Sequence, residues 1–210
     1  MGSEHKFPQL SLSAISDGNV LHSVAALWGG NLRSRQNANA PEHSEVALEI
    51  KDFDERRPVL QLEEFFSGRL KGWGYTVSRF GGFQNSFKID TQGHWNAGSK
   101  TLTMSEFYKF DDGHSDPLNW SITKKSELEY EGFEKSIDGS ARGEQRGNAF
   151  HWQYSRDVPE KDGDTTTFGF DDWFWLLEPT VLCVSASLTK LGIEVARLSA
   201  FYQKLPPDGS

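Results

Sequence analysis

The sequence predicts an all-β, antiparallel barrel preceded by a short helical extension, and three observations carry that prediction. From Leu62 onward, apolar and polar residues alternate in short runs, the period at which successive strand side chains point to opposite faces. Residues that favour tight turns separate the runs. Apolar area is concentrated in large rings: hydrophobic residues make up only 36% of the 210-residue chain, yet aromatics make up 13%, with seven Trp and fifteen Phe. Such a composition suits a β-rich fold with a roomy interior.

Taken in order, residues 1–50 read as an extension. Val20, Leu21, Val24, Leu27 and Trp28 recur at helical spacing, Ser16 or Asp17 can cap the start, and Gly29-Gly30 stops the helix. The polar SRQNANAPEHSE that follows reads as a linker. Residues 51–205 form the barrel domain. Its LQLEEFFSGRL segment is expected to make a turn or two of helix closing the barrel mouth, ended by Gly68. Ten alternating runs follow: GWGYTVSRF, NSFKIDTQGHW, TLTMSEFYKF, LNWSITKK, LEYEGFEK, SARGEQRG, AFHWQYSRD, TTFGFDDWFWLL, VLCVSASLTK and EVARLSAFYQK. About eight or nine are expected to be strands and the remainder connections. Asn96-Ala97-Gly98, Asp111-Asp112-Gly113 and Lys161-Asp162-Gly163-Asp164 supply residues that tolerate positive φ in hairpins.

Alternation also assigns faces. Phe150, Trp152 and Tyr154 share one face, opposite His151, Gln153 and Ser155; Leu118, Trp120 and Ile122 share another. In FDDWFWLL, Asp171, Trp173 and Trp175 lie together, opposite Asp172, Phe174 and Leu176. Each acid is expected near a strand start, close to water, with the rings reaching inward.

Several function classes are set aside. A net charge of −8 without clustered Lys and Arg argues against nucleic acid as a partner. The single cysteine, Cys183, allows no intrachain disulfide and lies in the apolar run VLCV, where packing outweighs reactivity. No apolar run approaches the ~20 residues of a transmembrane helix, and no signal-peptide pattern opens the chain. As presented it reads as cytoplasmic, or periplasmic if a signal has been removed. The six histidines show neither HxH nor HExxH spacing, so no metal is expected, and the absence of a P-loop, a GxSxG or a dinucleotide fingerprint implies no cofactor.

The segments LEEFFSGRLKGWG, FYKFDDG, WSITK, GEQRGNAFHWQY, FDDWFWL and TKLGIEVARLSAFYQK, in that order, resemble the bacterial domain-of-unknown-function family numbered 3833 over the C-terminal three quarters of the chain. The resemblance implies a lipocalin-like (calycin-like) barrel and lipid-linked work, with no settled activity. Many family members carry a lipoprotein signal; this chain has no cysteine after an N-terminal apolar stretch, so that anchor does not carry over.

Two kinds of chemistry fit these residues. The rings can line a cavity for a lipid or other apolar small molecule, with Trp73, Tyr108, Trp120, Trp152, Tyr154 and Trp173 as the wall, or they can fill a core. Asp171 and Asp172 with Lys190 can form an ion pair closing a barrel end. Alternatively, Asp172 and Lys190 can act as the acid and base of a cofactor-free isomerase or cyclase on the same pocket. Arg142, Glu144 and Arg146 share a face that either clasps a carboxylate head group or is simply solvated.

Overall fold

The computed structural model describes residues 48–159 and 164–207. The expected N-terminal helix, the linker and most of the 161–164 turn lie outside the described residues. Within the unit Ile50–Ser210, a 3-10 helix (Ile50–Phe53) and one short helix, α1 (Leu62–Phe66), precede ten strands. These are β1 (Gly68–Ser78), β2 (Phe83–Asn96), β3 (Thr101–Phe110), β4 (Ser115–Lys124), β5 (Glu129–Phe133), β6 (Ala141–Arg146), β7 (Ala149–Pro159), β8 (Thr165–Glu178), β9 (Val181–Lys190) and β10 (Ile193–Lys204).

Each strand pairs antiparallel with its sequence neighbours, and β1 pairs with β10 from Leu70↔Lys204 to Ser78↔Ala196, so the sheet closes on itself. All ten alternating runs are strands. β5 and β6 are short, but without their ladders to β4 and β7 the barrel would have two open edges. Sequence periodicity alone leaves one or two of these runs as connections, because strands of five or six residues give too few alternations to separate from loops.

Burial follows the period of two. On β4, Asp116, Leu118, Trp120 and Ile122 point inward while Ser115, Pro117, Asn119 and Ser121 are exposed. On β3, Leu102, Met104 and Glu106 do the same. The inward rings need space, which glycines on facing strands supply. A Cβ on Gly143 would lie 2.4 Å from Phe150 Cζ and 2.8 Å from Trp152 Cβ, and one on Gly132 would lie 2.8 Å from the Trp152 ring. Phe150 and Trp152 therefore occupy space that a side chain at either glycine would fill.

α1 closes the barrel end where β1 begins and β10 finishes. Leu62, Phe65 and Phe66 are buried, and the Phe66 carbonyl oxygen would lie 1.9 Å from a Cβ at Gly93, so β2 accepts the helix only because that position has no side chain. Polar clamps hold it there. Lys124 Nζ donates to Glu63 Oε1 at 2.6 Å, the Tyr130 hydroxyl lies 2.7 Å from Glu63 Oε2, and Gln145 Nε2 donates to Gln61 Oε1 at 3.3 Å. Burial would raise the Glu63 carboxyl, but the hydrogen bonds from Lys124 and Tyr130 outweigh it and hold the group below its ordinary value.

The Gly143→Ala variant is expected to lose about 1–3 kcal/mol of stability, the range for forcing an extra carbon into a packed core. Urea unfolding checks this; an unchanged midpoint would mean that Phe150 does not pack on the β6 backbone.

Candidate functional site

The inner faces of β3, β4, β7, β8 and β10 meet around an enclosed space of about 50 Å³. Rings and aliphatic groups form most of its lining, among them Phe66, Met104, Leu118, Trp120, Phe150, Trp152 and Phe174. Five residues add polar atoms: Glu106, Asp172, Tyr108, Tyr154 and Tyr202. A water needs roughly 10–15 Å³ of such space, so the void holds several waters or a few ligand atoms.

The polar residues form two linked units. Asp172 Oδ2 accepts from the Tyr154 hydroxyl at 3.0 Å and from Trp152 Nε1 at 3.3 Å. Glu106 Oε1 accepts from the Tyr202 hydroxyl at 2.7 Å and is also hydrogen-bonded by Trp120. The Tyr108 and Tyr202 hydroxyls lie 3.1 Å apart, and the Trp120 and Trp152 rings are 4.8 Å apart between centroids. Each unit is thus a carboxyl held by one indole and one phenol. Asp172 Oδ1 is buried and has no hydrogen-bond partner.

Both carboxyls are pushed up to about 7. For Asp172 the cause is burial, with the neighbouring Asp171 and Glu106 charges adding to it and the two hydrogen bonds opposing it. For Glu106 burial again dominates, against the Tyr202 hydrogen bond and the Arg156 charge. Arg156 does not neutralise them directly. It is ion-paired with buried Asp116 and donates from Nε to Ser136 Oγ at 3.0 Å.

The structure brings four of the expected wall residues, Tyr108, Trp120, Trp152 and Tyr154, to the cavity together with Asp172. Trp73 and Trp173 are not among them. Trp73 is 44% exposed on β1, and Trp173 lies on the outer face of β8, where its ring stacks on His151 with centroids 4.1 Å apart and on Trp175 at 6.0 Å. Phe53 of the 3-10 helix packs against both indoles. Asp171 shares that outer face and bonds to His151 Nε2 at 2.9 Å and to Gln153. The octet FDDWFWLL therefore divides between two environments: Asp171, Trp173 and Trp175 outside, Asp172, Phe174 and Leu176 inside.

Asp172 does not stand near a strand end close to water. It sits mid-strand, 6% exposed, because β8 begins at Thr165 and carries the acid well inside the barrel. Lys190 ends β9, four residues beyond Ala186, the register partner of Asp172, and forms no ion pair with either aspartate among the described residues. Of the Arg142–Glu144–Arg146 face, Arg146 is bound to Glu144 at 2.5 Å and to Asp54, next to the 3-10 helix, at 3.2 Å.

Glu106, Tyr202, Asp116 and Arg156 escaped the sequence reading, although a signal was present. Each stands in phase with the apolar face of its run: Glu106 with Leu102 and Met104, Asp116 with Leu118 and Trp120, Arg156 with Phe150 and Trp152, Tyr202 with Ala196 and Ala200. A polar residue in apolar phase is the mark of a buried polar group.

A shallower groove of about 400 Å³ crosses the outside of β1–β4, lined by Lys71, Asp90, Gln92, Phe107 and Asn119 among others. Its charges pair with each other in solvent, Asp90 with Lys109 at 3.0 Å and Lys71 at 3.9 Å. Larger volume does not make it the better candidate: of the two raised carboxyls Glu106 alone borders it, whereas the interior void gathers Glu106 and Asp172 together with their tyrosine partners. Among the described residues no cluster of His, Cys, Asp and Glu is placed to hold a metal ion, and no helix is long and apolar enough to cross a membrane.

A closed antiparallel barrel with one end plugged by a short helix and a polar void among interior rings defines a lipocalin-like barrel protein. Residues 43–204 match the family described as protein of unknown function (DUF3833), and the chain belongs to that family. No curated protein matches the sequence. Among solved structures it is similar to a protein of unknown function from the DUF3598 family of Nostoc punctiforme PCC 73102, with 13% identity and a TM-score of 0.52, covering 71% of this chain. The chain spans 51% of that protein's length. It is also similar to an S-type phycobiliprotein lyase from Guillardia theta, with 10% identity, a TM-score of 0.51, and coverage of 77% of this chain and 98% of the other. At these identities the likeness is one of fold.

The raised carboxyls make stability depend on pH in a definite direction. Asp172 and Glu106 hold their protons more tightly folded than unfolded, where they titrate near their ordinary 3.8 and 4.5. Their stabilising contribution is complete below those values and is lost as pH rises through about 7. The protein is expected to be more stable at pH 5 than at pH 8, a difference on the order of a few kcal/mol, and Asp172→Asn to remove about half of that slope, Glu106 keeping the rest. Thermal unfolding followed across this range is the check; greater stability at pH 8 would refute the assignment.

Proposed function

We propose that the barrel binds a small molecule in its interior, with the ligand's apolar body against the Trp120, Trp152 and Phe174 rings and its polar end on Asp172. The observation that carries this reading is Asp172 Oδ1, a buried oxygen without a partner at the wall of an enclosed void. An unsatisfied buried acceptor costs roughly 1–3 kcal/mol, and more when charged, so evolution retains one more readily where a ligand supplies the missing donor. The void takes only the polar end and a few carbons. Next to it on β7 and β8 the Tyr154 and Phe170 rings stack 5.0 Å apart, which leaves no room between them for a longer lipid-like tail.

A second reading rests on the same atoms. A carboxyl titrating near 7 at the wall of a buried pocket is matched to proton transfer at neutral pH, which supports a cofactor-free isomerase or cyclase with Asp172 as acid or base. The fold likeness to a phycobiliprotein lyase is a precedent for an enzyme on such a barrel. Lys190, at the far end of β9, has no part in this version.

Native mass spectrometry of freshly purified protein, followed by extraction and identification of small molecules, tests binding. A stoichiometric adduct is expected, and Asp172→Asn should cut its occupancy by about tenfold or more, the loss of one charge-assisted hydrogen bond. If Asp172 instead transfers a proton, the same variant should keep the adduct and lower turnover of that compound by about 100-fold or more. A protein that carries nothing and whose Asp172→Asn variant differs only in stability would leave the interior as core.

A further inference from the structure

The charges inside the barrel do not balance. Asp116, Glu106 and Asp172 are all buried, and Glu134, also buried, lies at the start of the β5–β6 connection with its carboxylate on Ser136. Arg156 is the buried cation on these inner faces among the described residues, and Asp116 and Ser136 occupy it. Glu106 and Asp172 therefore face the void with phenol and indole donors but no cation of their own. Buried carboxylates in proteins are normally paired, and an unpaired one is neutralised by a proton or by whatever binds it.

We infer that the interior site selects a ligand whose polar end is an organic ammonium ion, seated between Asp172 Oδ1 and Glu106 and enclosed by Trp120, Trp152 and Tyr154. Deepening the binding reading above, the inference depends on it. Three observations converge on this chemistry. The unpartnered Asp172 Oδ1 requires a donor, and an ammonium supplies up to three. The two uncompensated carboxyls supply the opposite charge. The walls include two indoles and a phenol, with Trp120 also 5.4 Å from Tyr154 between centroids, and a cation over the face of such a ring gains from its quadrupole. The same inventory disfavours a fatty acid entering head first, because its carboxylate would be a third anion beside Asp172 and Glu106. A neutral alcohol can satisfy Oδ1 but leaves the charge uncompensated.

Three compounds of one size separate these cases: n-butylamine, n-butanol and sodium butyrate, each titrated at pH 7.5 into the full chain after ligand removal by unfolding and refolding, with tryptophan fluorescence and calorimetry as readouts. The amine is expected to bind at least tenfold more tightly than the alcohol, and butyrate to show no saturable binding. Asp172→Asn and, separately, Glu106→Gln should each reduce the amine's preference over the alcohol by about tenfold; if either variant fails to fold, the three-compound ranking on the unmodified protein still decides. Calorimetry in two buffers of different ionisation enthalpy should show proton release as the amine binds at pH 6, since a protonated carboxyl must ionise to receive an ammonium. Equal or tighter binding of the alcohol or butyrate overturns the ammonium inference while leaving interior binding intact. Failure of all three compounds, combined with a native adduct that proves not to be an amine, overturns it as well; failure of all three with no native adduct removes the binding reading itself.

Discussion

The ladder between β1 and β10 is the constraint on which the rest of the structure depends. Nine matched positions, from Leu70↔Lys204 to Ser78↔Ala196, turn a meander of hairpins into a closed surface. Closure removes both sheet edges and gives every strand a definite inside. Because the side-chain period is two, slipping that register by one residue would turn Tyr202, Ala200 and Leu198 outward and present Phe201 and Arg197 to the interior. The large interior rings, the glycines beneath them and the placement of α1 against Gly93 all presuppose the register.

Inside the closed barrel two demands compete. A ten-stranded wall encloses more space than aliphatic side chains fill easily, and this chain fills it with Phe, Trp and Tyr. Indoles and phenols bring N–H and O–H groups that need acceptors once buried. Asp172 and Glu106 provide them: Trp152 and Tyr154 donate to one, Trp120 and Tyr202 to the other. Each carboxyl thus satisfies two ring donors, and its charge is what remains unanswered. Burial resolves this within the chain by raising both groups to about 7, where a proton can stand in for a cation.

Two ends of the barrel differ accordingly. At the α1 end, Leu62, Phe66, Leu102, Ile122 and Leu182 make an apolar floor, with Glu63, Lys124 and Tyr130 sealing the helix from outside. Toward the other end the inner face turns polar through Asp172, Glu106, Tyr108, Asp116 and Arg156. A molecule in the void would meet hydrocarbon on one side and hydrogen-bonding groups on the other.

The fold was legible in the sequence because a period of two is a local property: each alternating run states its own faces, and the hairpin residues between runs state that neighbours pair. That is why alternation within their own runs suffices to place Trp120, Trp152, Tyr154 and Asp172 on coherent faces. Local alternation does not say which of two faces is the inside. Trp173 and Asp171 share a face as rich in rings as the one opposite, and only closure put Asp172 and Phe174 within and left Trp173 to Phe53 and His151. Nor can a run say what stands across the barrel from it. The approach of Tyr202 to Glu106 and Tyr108 spans nearly a hundred residues of chain, and the failure of Lys190 to reach Asp172 follows from four residues of strand rise. The sequence by itself determined an antiparallel barrel rich in interior rings; the tertiary structure decided which acids are buried, because burial depends on contacts between strands that sequence spacing does not record.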